Sequence, residues 1–549
     1  MLTFEAIEEN FVFIVLETQK QVATTLDLLK SPQSHDIENF FNRDDYIDNL
    51  KTVIENETYS RVNVEEDVTR EDINTIRAIH TASVNLERIA DNCVNIIRQY
   101  DYLENSSLLE GFDYTLMFET LINGLAHVIP VFENRDLAGA LEICKAENDL
   151  DIMYMKAYDR IIIELKTGMD TADLVTLLFI FRYLERMGDS LLNIGEALIF
   201  AIVGERIKIN QFLSLQNVLS QSGFENGASN VDLKGILGTR SGCRIRQVHQ
   251  RGAEKRRARE SIFKEGNREK MLAERRNLTK WNKVIPGLVP RVFGFNEAES
   301  GASMLVEFLH GATVEEILLD ADEKAVTETL DMIADTLRTA WTKTRAEAQI
   351  ATGYMDELCA RLDAVLAIHP GFQREAVQIG SAKVLSTREL LAACSAIEKE
   401  IPATCTVFVH GDFNVNNILY EPGKHRIHFV DLYRSHDYDY VMDASVFIVS
   451  VFRIPVFEHE LRSRLNRVIE RFYLFASSLA EEWGDATFDA RLALALARSF
   501  FTSTRFELNA EFAKEMCLRA YYLLEKVVAR SAAGGAWADF ELPSSVLFY

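Results

Sequence analysis

Three polar residues in two short stretches carry the spacing that phosphoryl transfer needs. "VFVHGDFNVNNILY" at 407–420 runs three apolar residues into His410, Gly411 and Asp412, with Asn417 five residues after the Asp. "RIHFVD" then gives a second short strand-like run ending in Asp431, fourteen residues after Asn417. A carboxylate at a strand end can orient an acceptor hydroxyl, and an amide oxygen with a second carboxylate makes a hard-cation pair. A different chemistry is written upstream. "NLERIADNCVNI" at 85–96 and "YLERMGDSLLNI" at 183–194 match at a constant offset of 98. Glu87, Asp91 and Asn95 thereby pair with Glu185, Asp189 and Asn193. Spacing by four puts both carboxylates on one helix face, where like charges repel by a few tenths of a kcal/mol. They border the apolar face, so a compensating cation is expected. Two earlier pairs, Asp44/Asp48 and Glu147/Asp151, repeat the spacing and read equally well as solvated acidic faces.

The elements that must position these groups fall into two textures. Residues 1–206 read as helix almost throughout, in two repeats of about 1–105 and 106–206. "QSGFENGASN" within 207–232 is a linker signal. From 233 short alternating runs such as "CRIRQV", "ESIFK", "SMLVEFL", "TVFVH" and "RIHFV" read as strands, with helices over 313–346 and 457–530. Residues 531–549 read as a loosely held tail.

Charge separates the same halves. Residues 1–206 hold 17 Lys+Arg against 38 Asp+Glu, and the rest hold 42 against 45. An acidic half excludes a nucleic-acid surface there and suits cations or basic partners. The basic cluster at 240–283, with 15 Lys+Arg against 5 Glu, has few interleaved aromatics, which disfavours RNA. The longest apolar run considered, "ALIFAIVG" at 197–204, is too short to span a bilayer. Seven scattered cysteines without a CxxC pair fit reduced thiols, hence a cytoplasmic protein.

"HGDFNVNNIL" and "HFVDLYRSHDYDYVMDAS" resemble the aminoglycoside phosphotransferase and choline kinase-like family, which has a protein kinase-like fold. The resemblance spans about 233–530, with a small lobe of about 233–310 and a large lobe of about 311–530. It implies ATP and Mg²⁺ as cofactors, Asp412 as the catalytic Asp, and Asn417 and Asp431 as Mg²⁺ ligands. By the same resemblance Asp439 and Asp443 are a structural pair and Lys264 in "SIFKEG" contacts ATP. Glu274 in "LAERRNL" is that lysine's helix partner, and Glu307, Phe308 and Leu309 form the adenine hinge. "GILGTRSGCRIRQV" would cover the phosphates but lacks GxGxxG.

"LERIADNCVNIIRQ" and "RYLERMGDSLLNIGEALIFAIVGE" resemble the two signature helices of the PhoU family, over about 1–206. That resemblance implies tandem three-helix bundles, metal held by the acidic motifs, and a part in phosphate uptake and signalling. The family commonly has a His after the motif Asp; here Asn92 and Ser190 stand there. An all-carboxylate set suits iron or another hard cation better than zinc or copper.

The expected fold is therefore multidomain: all-α tandem bundles followed by an α+β, two-lobed kinase-like domain. The expected function is ATP-dependent phosphorylation of a small hydroxylated molecule, controlled by the helical half. The resemblances imply phosphate transporter or sensor proteins as partners and allow a homodimer; charge and hydropathy predict no nucleic acid and no membrane span. The alternatives are a nucleotide-binding regulator with little or no transfer (a pseudokinase), and an aminoglycoside-modifying enzyme.

Overall fold

The computed structural model describes residues 4–31, 37–64, 69–204, 209–221, 231–235, 244–250, 260–298 and 301–549. The chain divides into two compact units, Met1–Glu265 and Gly266–Tyr549.

The first unit opens with α1 (Phe4–Lys30), α2 (Ile37–Val64) and α3 (Arg70–Tyr100), which pack on one another as a bundle. A second bundle follows: α4 (Tyr114–Ala126), α5 (Val128–Asn134), α6 (Leu137–Leu165) and α7 (Thr171–Val203). The two signature helices, α3 and α7, lie against each other along their length. A capping box starts α3: the Thr69 side chain accepts from the Asp72 backbone, and Asp72 accepts from the Thr69 backbone. Close packing of α6 on α7 needs small residues. A Cβ on Gly195 would sit 2.5 Å from Cys144 Sγ. After α8 (Ile209–Gln221), the strands β1 (Val231–Gly235), β2 (Arg244–Gln250) and β3 (Ser261–Gly266) form an antiparallel ladder, with Ile245 opposite Lys264.

Two expectations change here. The apolar stretch Tyr114–Asn134, not 197–204, is long and apolar enough to cross a bilayer. It is two helices meeting at His127, with Met117, Phe118, Leu121 and Leu125 buried in the bundle. The tail is also packed rather than loose. Phe540, Leu542, Val546 and Leu547 are buried, and the Leu542 N–H donates to Asp489.

The second unit contains α9 (Arg268–Val284), the antiparallel pair β4 (Val292–Ala298) and β5 (Gly301–Glu307), β6 (Ala312–Thr313), α10 (Val314–Asp320) and α11 (Glu323–Thr344). There follow β7 (Ala346–Ile350), α12 (Tyr354–Leu366), the hairpin β8 (Val377–Ile379) and β9 (Ala382–Val384), and α13 (Thr387–Glu398). Next come β10 (Ala403–Val409), β11 (Ile418–Glu421), β12 (Arg426–Phe429), β13 (His436–Tyr438) and α14 (Val441–Phe452). The last helices are α15 (His459–Glu482), α16 (Phe488–Ser503) and α17 (Ala510–Ala532). β10 is flanked by β7 and β13, and β11 by β12 and β6. These two small antiparallel sheets aim the ends of β10 and β12 at one loop cluster. Beneath it α14 is almost wholly buried.

Candidate functional site

β10 is buried at Ala403, Cys405 and throughout 407–409, and delivers His410, Gly411 and Asp412 at its end. Gly411 has φ +82°, and a Cβ there would lie 2.4 Å from the Arg434 carbonyl, so only glycine fits the turn. Asp443, fully buried on α14, fixes that turn. Its Oδ2 accepts from the His410 N–H at 2.7 Å and its Oδ1 from the Gly411 N–H at 2.9 Å. Burial pushes the Asp443 carboxyl up to about 7, opposed by those two N–H groups.

His410 has both ring nitrogens engaged. Nε2 donates to the Val430 carbonyl at 3.0 Å, and Nδ1 accepts from the Asp412 N–H at 3.3 Å. Burial holds the imidazole down at about 4 against the pull of Asp412 and Asp431, so it is neutral. Its two ring contacts brace the loop.

Asp412 points its carboxylate to the loop surface. Oδ1 accepts from Asn414 Nδ2 at 3.2 Å, and Oδ2 lies 3.2 Å from Arg434 Nη1. Asn417 Nδ2 donates to the Asp412 carbonyl at 2.9 Å. The Val430 N–H donates to the Asn417 carbonyl, tying β12 to the same loop. Asp431 then takes a left-handed conformation, φ +63°, unusual for a non-glycine residue and typical of functional loops. Its charge acts on both His410 and Arg434, so Asp412, Asn417 and Asp431 converge.

Sequence reasoning missed three residues here. Arg434 bonds Asp412 and, through Nε at 2.6 Å, the Tyr433 hydroxyl. Asn277 on α9 donates to the carbonyls of Leu432 at 2.7 Å and Ser435 at 2.9 Å, clamping the loop behind Asp431. Trp281, one turn on, donates to Ser435 Oγ, which donates to the His410 carbonyl. No local signal marks the α9 contacts, since 155 residues separate Asn277 from Leu432. The Asp439 of the structural pair is buried against Arg491 (3.0 Å) and the Tyr354 hydroxyl (3.0 Å).

The remaining nucleotide-site candidates sit as follows. Lys264, on β3 in the first unit, is 7 % exposed, and Glu274, on α9 in the second, is 2 % exposed. Glu307 ends β5 in a two-pronged pair with Arg291, both contacts 3.1 Å. Burial raises its carboxyl, but the hydrogen bonds from Arg291 outweigh that and hold it low. Phe308 and Leu309 follow in the connecting loop, half-buried. Residues 236–243 of the glycine-containing stretch lie outside the described residues.

In the first unit the eight acidic candidates gather into two quartets. Asp44 is pushed up to about 6 by burial, then by Asp91, Asp45 and Glu87. Lys51 completes this group, 3.0 Å from Glu87 and 3.1 Å from Asp48, and these hydrogen bonds raise its pKa against the effect of burial. In the second repeat Glu147 is raised by burial, then by Asp151, Asp189 and Glu185. Arg182 pairs with Glu185 Oε1 at 2.6 Å, while Glu185 Oε2 is buried without a hydrogen-bond partner. Among the described residues no three His, Cys, Asp or Glu side chains are placed to hold a metal ion. The first quartet does not fit one, because the Lys51 ammonium already occupies the cation position.

The PhoU domain family model matches residues 15–99 and 114–198, and the phosphotransferase enzyme family (APH) model matches 247–483. A phosphate-specific transport system accessory protein PhoU homolog of Clostridium acetobutylicum is 24 % identical over 197 residues, 35 % of this chain and 89 % of its own. The crystal structure of PhoU from Pseudomonas aeruginosa has 20 % identity and a TM-score of 0.34, covering 37 % of this chain and 97 % of its own. Choline kinase from Cryptosporidium parvum has 13 % identity and a TM-score of 0.36, covering 58 % and 95 %. The chain carries two PhoU repeats in its helical N-terminal region, followed by an α+β kinase-like domain of the APH phosphotransferase enzyme family.

Proposed function

We propose that the chain is an ATP- and Mg²⁺-dependent phosphotransferase acting on the hydroxyl of a small molecule, coupled to a PhoU-like regulatory region linked to phosphate homeostasis. The observation that carries this reading is the convergence of Asp412, Asn417 and Asp431 on one loop cluster held rigid by Asp443. Asp412 orients the acceptor hydroxyl and receives its proton as the phosphoryl group transfers. Asn417, through its amide oxygen, and Asp431 form a donor set that suits Mg²⁺. When bound, the metal neutralises charge on the transferring phosphates. Lys264 and Glu274 serve the nucleotide phosphates, and the backbone at Glu307, Phe308 and Leu309 serves the adenine. In the helical region Glu147, Asp151, Glu185 and Asp189 are not placed to hold a metal ion among the described residues, and no metal step is assigned to them. The scattered thiols, free in all six described cysteines, accord with a cytoplasmic setting.

A second reading draws on the Arg434–Asp412 ion pair. An occupied carboxylate suits a regulator that binds nucleotide and transfers slowly. One preparation separates the two. Mg²⁺-ATP should raise the melting temperature in either case. ATP turnover across amino-alcohols, sugars and aminoglycosides should be lost in Asp412→Ala. Turnover unchanged by that substitution ends the enzyme reading of this loop.

A further inference from the structure

We infer that the cleft between α3 and α7 binds a phosphate group through Arg88 and Arg186. The cleft, about 520 Å³, is lined by repeat-related pairs at the constant offset of 98: Arg88 with Arg186, Asp91 with Asp189, Asn95 with Asn193. Duplication explains this. Where two like elements meet about a pseudo-twofold axis, each residue near the axis meets its own copy. A carboxylate or guanidinium there cannot be neutralised by its counterpart. Two cations in one cleft favour an anion between them.

Both guanidiniums are left over for that task. Among the described residues neither Arg88 nor Arg186 makes an ion pair or a side-chain hydrogen bond. The cleft's own carboxylates also interact with charges outside it. Asp91 is shifted by burial, then by Lys51, Asp48 and Arg98. Asp189 acts on Glu147 and Glu185 in the second quartet. Asn193 donates to Asn85 Oδ1 at 3.2 Å, while the Asn95 side chain retains its donors.

Two planar forks with five donors each suit a tetrahedral oxyanion better than a carboxylate, which offers a single edge. The two aspartates sharpen the choice. Hydrogen phosphate and a singly protonated phosphate ester carry an O–H that a carboxylate accepts, whereas sulfate at neutral pH carries none and is repelled. The ligand is therefore inorganic phosphate or a small phosphate monoester. The inference does not rest on the phosphotransferase reading, because its residues are far in sequence from Asp412 and take no part in the catalytic loop.

The test is equilibrium dialysis of the full chain with labelled inorganic phosphate, with chelator present and nucleotide absent. Saturable binding of one phosphate per chain is expected, weakened about tenfold or more in Arg88→Gln and in Arg186→Gln, and lost in the double variant. Arg88→Lys should retain part of it, which separates loss of the fork from loss of fold. Asp412→Ala should bind like the parent, which separates this cleft from the catalytic loop. Sulfate should compete at least about tenfold less well than phosphate. Glycerol phosphate competing below inorganic phosphate assigns a monoester, and the reverse order assigns free phosphate. No saturable binding up to about 10 mM, or equal binding by the parent and the double variant, overturns the inference.

Discussion

Arg434 Nη1 lies 3.2 Å from Asp412 Oδ2, only three residues beyond Asp431 in the chain. One guanidinium thus fixes the proposed base; burial lowers the guanidinium's pKa, but Asp412, Tyr433 and Asp431 outweigh that and raise it. Arg434→Gln should lower kcat about tenfold to a hundredfold with little change in the KM for ATP, because a small misplacement of the orienting carboxylate costs alignment rather than binding. Arg434→Lys should recover part of the rate. Steady-state kinetics on the acceptor found in the turnover panel checks this. A rate above the parent's would instead make Arg434 an inhibitory latch.

Asp443→Asn tests the clamp on the loop. The amide can accept one of the two N–H groups now held by the carboxylate but must turn its own NH₂ toward the other. Leaving that N–H unsatisfied costs about 1–3 kcal/mol. Urea unfolding should register the loss, and turnover should fall with it. A variant as stable as the parent would show that the loop holds its shape without Asp443.

His410 sets a pH dependence whose sign follows from burial. Its folded value, about 4, lies below its ordinary 6.5, so the unfolded chain binds the extra proton between these values. Its contribution to stability is complete above about 6.5 and is lost as pH falls toward 4. Asp443 acts oppositely: its folded value of about 7 makes stability fall as pH rises from about 4 to 7. His410→Gln should remove the first slope and leave the second, measured as melting temperature against pH.

Asp44 gives the helical unit its own window. Its value is raised from 3.8 to about 6 by burial, then by Asp91, Asp45 and Glu87, so its contribution falls as pH rises through that range. Asp44→Asn should stabilise the chain at pH 7.5 by roughly 1 kcal/mol once solvent screening of this half-buried group is allowed for. Lys51→Met should act in the other direction by up to about 1 kcal/mol, since it removes the cation between Glu87 and Asp48. Added Mg²⁺ or Mn²⁺ should rescue Lys51→Met more than the parent.

Arg491 makes the largest single stability prediction. It is fully buried and pairs with Asp439 at 3.0 Å and Asp485 at 2.7 Å. Arg491→Met leaves two buried carboxylates uncompensated, a loss of about 3–5 kcal/mol. Denaturant unfolding reads it directly.

The sequence by itself determined the repeat, the helix faces of its acidic pairs, and the strand-loop-strand order around Asp412, Asn417 and Asp431. Each of these is written in spacings of four, five or fourteen residues or in one constant offset. The tertiary structure decided what no spacing encodes. It placed Lys51 among the first quartet and Arg182 on the second, so that two alike motifs differ in their cations. It packed the tail, whose apolar residues are too sparse to show a period. It also brought Asn277 and Trp281 to the back of the loop and Arg434 onto Asp412. Side-chain partners across long stretches of chain are chosen by packing, and packing leaves no period in the sequence.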